Sequence, residues 1–240
     1  MPLPYFFIER FAPEEQSLIL NEEQSKHVVQ VLRMQNGEEL LLTDGKGSKA
    51  HVLITDDHRK RCQVKIISIE KEEHQSPKIS IAISLIKNAV RFEWFLEKAT
   101  EIGVTEIIPL ICERTEKEKF RLDRMQSILI SAMLQSQQCW LPSLIEPVAV
   151  TTLIEESTNA NKFIAHCLHQ QKPTLSSLIH HSSVINNHSS LILIGPEGDF
   201  TEKEIRLALN KNFRAVTLGN TRLRTETAGI VAASLLKNFT

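Results

Sequence analysis

Leu191-Ile-Leu-Ile-Gly-Pro-Glu-Gly-Asp-Phe-Thr201 decides the fold of this chain. The four apolar residues form too short a run for a helix, and Gly195-Pro-Glu-Gly198 cuts them off, so they read as a buried strand. Thr201-Glu-Lys-Glu204 has the form of a capping box, which starts a helix at about Glu202. A second junction of the same kind follows at Val216-Thr-Leu-Gly-Asn-Thr-Arg-Leu-Arg-Thr-Glu-Thr-Ala228. There Gly219 ends a strand, Thr225 or Thr227 can cap the next helix, and Ala228, Gly229 and Ala232 are small enough for close packing. Strand, tight loop and helix repeated in this way define an α/β layer with a mostly parallel sheet.

Ligands of open parallel sheets bind beyond the carboxyl ends of the strands, where both junctions lie. Gly195 and Gly198 permit tight or positive-φ backbone and let a ligand approach the main chain. Pro196 stiffens the turn. The chain has no Gly-x-x-x-x-Gly-Lys-[Ser/Thr] and no Gly-x-Gly-x-x-Gly after a first strand, which excludes the usual phosphate and dinucleotide cradles. The junctions better suit a flat, neutral group such as an adenine held by backbone donors and acceptors. Two ordinary βα turns would leave the same trace.

Outward from these junctions the helix–strand alternation continues. Phe92, Phe95, Leu96, Ala99 and Ile102 share one face of a helix that Gly103 stops. Ile107 to Ile111 is a buried strand, and a helix carries Leu122, Met125, Leu129, Ala132 and Met133. Lys78–Ile86, Lys162–Leu168 and 215–218 read as further strands, and 201–212 and 226–238 as helices. Before residue 74 the pattern differs. Tyr5–Ile8, Glu39–Thr43, Ala50–Thr55 and Gln63–Ile69 are short strands around one helix. That helix opens at the capping box Asn21–Gln24, with Gly37 as its expected stop. A small β-barrel over 1–73 and an α/β domain over 74–240 follow, with the charged tract 70–77 as linker.

Composition sets limits. The 240 residues are 42% hydrophobic and 24% charged, and no apolar run reaches membrane-spanning length. The amino terminus, MPLPYFFIERF, lacks a basic region before its apolar stretch, so a cytosolic protein is expected. Cys62, Cys112, Cys139 and Cys167 are scattered and read as buried thiols. His166-Cys-Leu-His169 is the one pair with ligand spacing, and no second cluster completes a metal site. A net charge of −1 gives no global nucleic-acid signature. Local basic candidates are Arg59-Lys-Arg61, the stretch from Arg114 through Lys117, Lys119 and Arg121 to Arg124, and Arg222 with Arg224. Short basic runs are also what solvated loops look like.

The segments LIGPEGDFTEKEI (193–205) and LGNTRLRTETAGIVA (218–232) closely resemble the carboxyl-terminal motifs of the RsmE-type 16S ribosomal RNA uridine-N3 methyltransferases. These are SPOUT-superfamily enzymes that use S-adenosylmethionine. EKATEIGVTEIIPL (97–110) and HVVQVLRMQNGEEL (27–40) resemble the family's other signatures, so the likeness spans essentially the whole chain. It implies a PUA-like barrel, an α/β domain with a trefoil knot, a homodimer, and no metal or membrane partner. It also implies S-adenosylmethionine bound between the junctions. The residues to hold it are Leu168, Ile194, Gly195, Pro196, Glu197 and Gly198 on one side, and Leu218, Gly219, Leu223, Thr225, Thr227 and Ala228 on the other. The implied partner is 16S ribosomal RNA within the small subunit. Two departures stand out: Leu134 and Gln138 replace a charged residue and a basic one, and Asp199 stands where a third glycine is frequent.

Methylating uracil N3 requires loss of its proton and stabilisation of charge on the uracil oxygens. Arg224, a permanent cation between the cofactor loop and the last helix, suits the second task, and Glu226 or Glu197 the first. A salt bridge from Arg224 to either glutamate is the structural alternative. Trp94, off the apolar helical stripe, is positioned to stack on a base, whereas Phe92 belongs to the core. His27 and Arg33 are candidates for RNA phosphate. A SPOUT enzyme acting on transfer RNA, or an RNA-binding module without turnover, remains as an alternative.

Overall fold

The computed structural model describes residues 3–10, 16–73, 77–116, 119–168, 171–181 and 189–238. Lys117, His169 and the centre of the charged tract 70–77 lie outside them. The chain forms two compact units: Met1–His74 with Met133–Leu141, and Gln75–Ala132 with Pro142–Thr240. Compactness thus groups 133–141 with the first unit, a segment that the sequence reading left in the second.

The first unit holds β1 (Tyr5–Phe7), β2 (Ser17–Ile19), α1 (Glu22–Lys26), β3 (Glu39–Thr43), β4 (Ser48–Asp56) and β5 (Gln63–Lys71). They make a five-stranded sheet of order β1-β3-β4-β5-β2. Alternate residues of β4, namely Ala50, Val52 and Ile54, are fully buried with Leu40, Leu42 and Val64. That is the period-2 pattern of a strand with one face on a core. The Asn21–Gln24 capping box forms as its sequence suggests. The helix continues as a π-helical turn over His27–Val31 and does not stop at Gly37. Arg33 takes the left-handed conformation instead (φ 58°), and Met34 N–H closes on Val28 O at 3.0 Å, a helix-ending geometry that glycine usually supplies. From the 133–141 segment, Gln138 O accepts the Tyr5 hydroxyl at 3.2 Å, and Cys139 Sγ meets Glu72 Oε2 at 2.8 Å.

The second unit runs β6 (Ile79–Ser84), α2 (Ala89–Ile102), β7 (Glu106–Ile111), α3 (Leu122–Gln135), β8 (Ser143–Leu144), β9 (Val148–Ala149), α4 (Val150–Glu156), β10 (Asn161–Ala165), α5 (Leu175–His181), β11 (Ser190–Ile194), α6 (Glu202–Asn210), β12 (Arg214–Val216) and α7 (Thr225–Asn238). α3 ends within the segment that belongs to the first unit. The sheet has the order β12-β10-β11-β6-β7-β8 with β9 also beside β7, and every pairing is parallel. Every residue of β6 and β11 is buried, as expected of a parallel sheet covered on both faces.

Leu191 and Leu193 pack into a cluster with Ile154 of α4 and Ile205 and Ala208 of α6. On α7, Gly229 lies so close to Phe95 that a Cβ there would sit 2.6 Å from the ring and 3.0 Å from Ile83 Cδ1. The small residues foreseen at the start of the last helix therefore let it sink against α2 and β6. Phe92 is buried and Trp94 is 43% exposed, matching their positions on and off the helical stripe. Cys62, Cys112 and Cys139 are buried, but Cys167 is exposed, against the expectation of four buried thiols. It lies two residues beyond the end of β10, where the chain leaves the sheet.

Candidate functional site

Three strands of the second unit end level. Ala165 of β10 stands opposite both Ile194 of β11 and Val216 of β12, so their exits share one edge of the sheet. A cavity of about 320 Å³ opens there, within the range of small-molecule sites. The first junction contributes Ile194, Gly195, Pro196 and Glu197. The second contributes Leu218, Gly219, Arg222, Leu223, Arg224, Thr225, Glu226 and Ala228. Leu168, Gly198 and Thr227, expected with them, do not line it.

A buried side chain joins the junctions: the Thr225 hydroxyl donates to Gly195 O at 3.0 Å. Thr225 is therefore spent on a contact across the cavity, and Arg224 O accepts the first helical bond, from Ala228 N–H at 2.8 Å. The loop 195–199 is braced by three further bonds. Arg114 Nη1 donates to Gly198 O at 2.7 Å, Arg222 Nη2 to Glu197 O at 3.4 Å, and Lys87 N–H to Glu197 Oε1 at 3.2 Å.

The glycines act differently from the expectation. A Cβ on Gly195 would lie 3.1 Å from the Phe200 ring, so this glycine admits a core aromatic. Asp199 takes the left-handed turn of that loop, at φ 63°. Aspartate tolerates this conformation because its short side chain can bond locally. Here Oδ1 accepts Phe200 N–H at 2.8 Å and Oδ2 accepts Cys167 N–H at 2.7 Å, tying the loop to the exit of β10. Gly219 also lines the cavity, with φ +153° and nothing within 4 Å of where a Cβ would be.

The polar wall was only partly foreseen. Glu226 is 8% exposed, and its carboxylate pairs at 3.7 Å with Nε of Arg91, which also lines the cavity. Arg224 is exposed and, among the described residues, has no ion pair, which removes the structural salt bridge considered for it. His166 is 6% exposed; its Nδ1 faces Lys172 Nζ at 3.1 Å, and its Nε2 has no partner among the described residues. Burial, then the neighbouring ammonium, hold this imidazole below the usual histidine range. Arg91 was missed in the sequence, and His166 was noted there only for metal-ligand spacing with His169. The signal for Arg91 was available, since β6 ends at the same edge as β11 and α2 starts just beyond it.

The RNA candidates are dispersed. His27, Arg33, Arg59 and Arg61 are exposed on the first unit, and Trp94 on α2. Arg114 and Arg222 are exposed but committed to loop carbonyls.

Known proteins match both units. The family model for an RNA methyltransferase domain matches residues 72–237, and that for an RNA methyltransferase PUA domain matches 20–67. The class is therefore an RNA methyltransferase with a PUA domain. Ribosomal RNA small subunit methyltransferase E of Synechocystis is 32% identical, over 92% of this chain and 74% of that protein. A probable rRNA-methyltransferase from Porphyromonas gingivalis superposes with a TM-score of 0.88 at 35% identity, covering 99% of this chain and 98% of that one. The methyltransferase E of Neisseria gonorrhoeae, bound to S-adenosyl methionine, gives 0.85 at 30% identity with the same coverage. This chain belongs to the ribosomal RNA small subunit methyltransferase E family.

Proposed function

We propose that this protein transfers the methyl group of S-adenosylmethionine to N3 of a uridine in 16S ribosomal RNA, at the cavity beyond β10, β11 and β12. The observation that carries this is the joining of two strand exits around one cavity by the Thr225–Gly195 bond. The cavity fits the cofactor. Ala165, Ile194, Val216, Leu218 and Leu223 offer apolar surface for a flat adenine, and Gly219 leaves backbone open to it. Charged groups stand at the wall for the polar end.

When bound, S-adenosylmethionine supplies a methyl group on a positively charged sulfur. Arg224, exposed and without an ionic partner among the described residues, meets the uracil oxygens as negative charge develops on them. Glu226, held beside Arg91, is the acceptor for the N3 proton; Glu197 is the weaker choice because its carboxylate is bonded to Lys87 N–H. Trp94 offers an exposed ring to a neighbouring base. His27, Arg33, Arg59 and Arg61 hold RNA phosphate on the PUA-like unit, and Arg114 and Arg222 add charge near the cofactor loop.

The finer architecture belongs to the same proposal. The domains divide near residue 73, and the second carries a trefoil knot. β12 lies at the sheet edge while α7 packs on central β6 and β11, and the chain between them passes the 195–199 loop at Arg222. That path supports a threaded chain. α7 leaves Ile230, Val231 and Leu235 half-buried, which supports a homodimer. The substrate is the assembled small subunit in the cytoplasm. No described helix is long and apolar enough to cross a membrane. The test is mass-spectrometric mapping of 16S RNA from cells with and without the protein. Loss of one N3-methyluridine is expected, and an unchanged methylation map contradicts the proposal.

A further inference from the structure

The cavity wall carries an arginine whose position calls for a ligand. Arg91 lies in the first turn of α2, which Asn88 caps through its bond from Val90 N–H. Its Nε is 3.7 Å from Glu226 Oε1, and Glu226 is its one ion-pair partner among the described residues. This tether uses one edge of the guanidinium and leaves both terminal nitrogens with donors to place. Arg91 is 43% exposed at the side chain, half within the wall and half open.

The three arginines of the cavity differ in what they are free to do. Arg222 already donates to Glu197 O. Arg224 is exposed and untethered, which suits a substrate that arrives and leaves. Arg91 is paired with a buried carboxylate at 3.7 Å, which suits a feature present in every turnover. The apolar part of the cavity takes the adenosine end of S-adenosylmethionine. The opposite end of that molecule is an amino acid, whose carboxylate must keep a partner when it leaves water. A guanidinium with its two terminal nitrogens open meets a carboxylate in the bidentate geometry that gives strong charge-assisted bonds.

We infer that Arg91, oriented by Glu226, binds the carboxylate of the cofactor's amino-acid end. This rests on the cofactor assignment above, and the test separates the two. Calorimetry on the full-length protein compares S-adenosylhomocysteine with 5′-methylthioadenosine, which lacks the amino-acid end. The parent binds the first more tightly. Arg91→Met weakens S-adenosylhomocysteine tenfold or more, a range set by about 1.5–3 kcal/mol for a hydrogen bond to a charged group, and leaves 5′-methylthioadenosine unchanged. Arg91→Lys keeps part of the difference, because it retains charge but loses the planar fork.

Equal weakening of both ligands by Arg91→Met makes Arg91 a scaffold residue and overturns the inference. So does full S-adenosylhomocysteine affinity in that variant, with or without a loss of RNA binding. Should Arg91→Met not fold, Arg91→Lys and Arg91→Gln give the same comparison. A parent protein that binds neither ligand defeats the cofactor assignment itself.

Discussion

Thr225→Val replaces the hydroxyl that joins the two strand exits with a methyl group of similar size. Thr225 is 5% exposed and Gly195 is buried, and the bond between them is 3.0 Å long. Losing the bond removes about 0.5–1.5 kcal/mol net, and leaving a buried carbonyl without a donor costs about 1–3 kcal/mol. These overlap, so a loss of roughly 2 kcal/mol is expected. At about 2–4 °C per kcal/mol for a domain of this size, Tm should fall by roughly 4–8 °C. Calorimetric melting with and without S-adenosylhomocysteine measures both consequences, since the same bond holds the first turn of α7 against the first junction. The ligand-induced rise in Tm should shrink in Thr225→Val and persist in Thr225→Ser. A valine variant that melts and binds like the parent would refute the view that this bond holds the cavity together.

Arg224→Ala should leave melting and cofactor affinity near parental values while single-turnover methyl transfer falls by about 10²–10³, the usual effect of losing one well-placed electrostatic donor. Melting and binding that fall together with the rate would make Arg224 a scaffold residue. Asp199→Gly loses two side-chain bonds but fits the left-handed backbone, whereas Asp199→Ala also suffers strain of about 1–2 kcal/mol. Glycine should therefore be the less damaging change in thermal melts, and the reverse order would contradict the assignment. His166 binds its proton less readily folded than unfolded, so the unfolded state takes up more protons as pH falls below about 6.5. Stability of the unliganded protein should be complete above that pH and decline below it, by up to about 1.4 kcal/mol per unit. Urea titrations should show this decline reduced in His166→Gln. Cys167 should react with a thiol reagent in the native state, while Cys112 and Cys139, whose thiols burial pushes up to about 12, should react only on unfolding.

The strands and helices of both units were legible because their apolar spacing and capping boxes are local signals; β3, β11 and the Thr201 cap lie where the sequence put them. The two junctions were legible as paired strand exits for the same reason, and a cavity lies between them. What escaped depends on contacts distant in sequence. Nothing near residue 91 announces that its side chain will meet Glu226. The partners of Asp199 at Cys167 and of Thr225 at Gly195 are set by strands ending level, a property of register. Gly195 and Gly198 were read for a ligand because glycine is ambiguous between admitting a ligand and admitting a neighbour. Gly195 admits Phe200, Gly198 faces Arg114, and the left-handed turn fell to Asp199.

One measurement bears most directly on the proposed function. Purified protein is incubated with methyl-labelled S-adenosylmethionine and small ribosomal subunits from cells lacking the activity, and the 16S RNA is digested and mapped by mass spectrometry. The label should appear as N3-methyluridine at a single position, and its rate of appearance should fall by about 10²–10³ in Arg224→Ala. Label on another base or another uridine atom, or none with a protein that binds the cofactor, would contradict it.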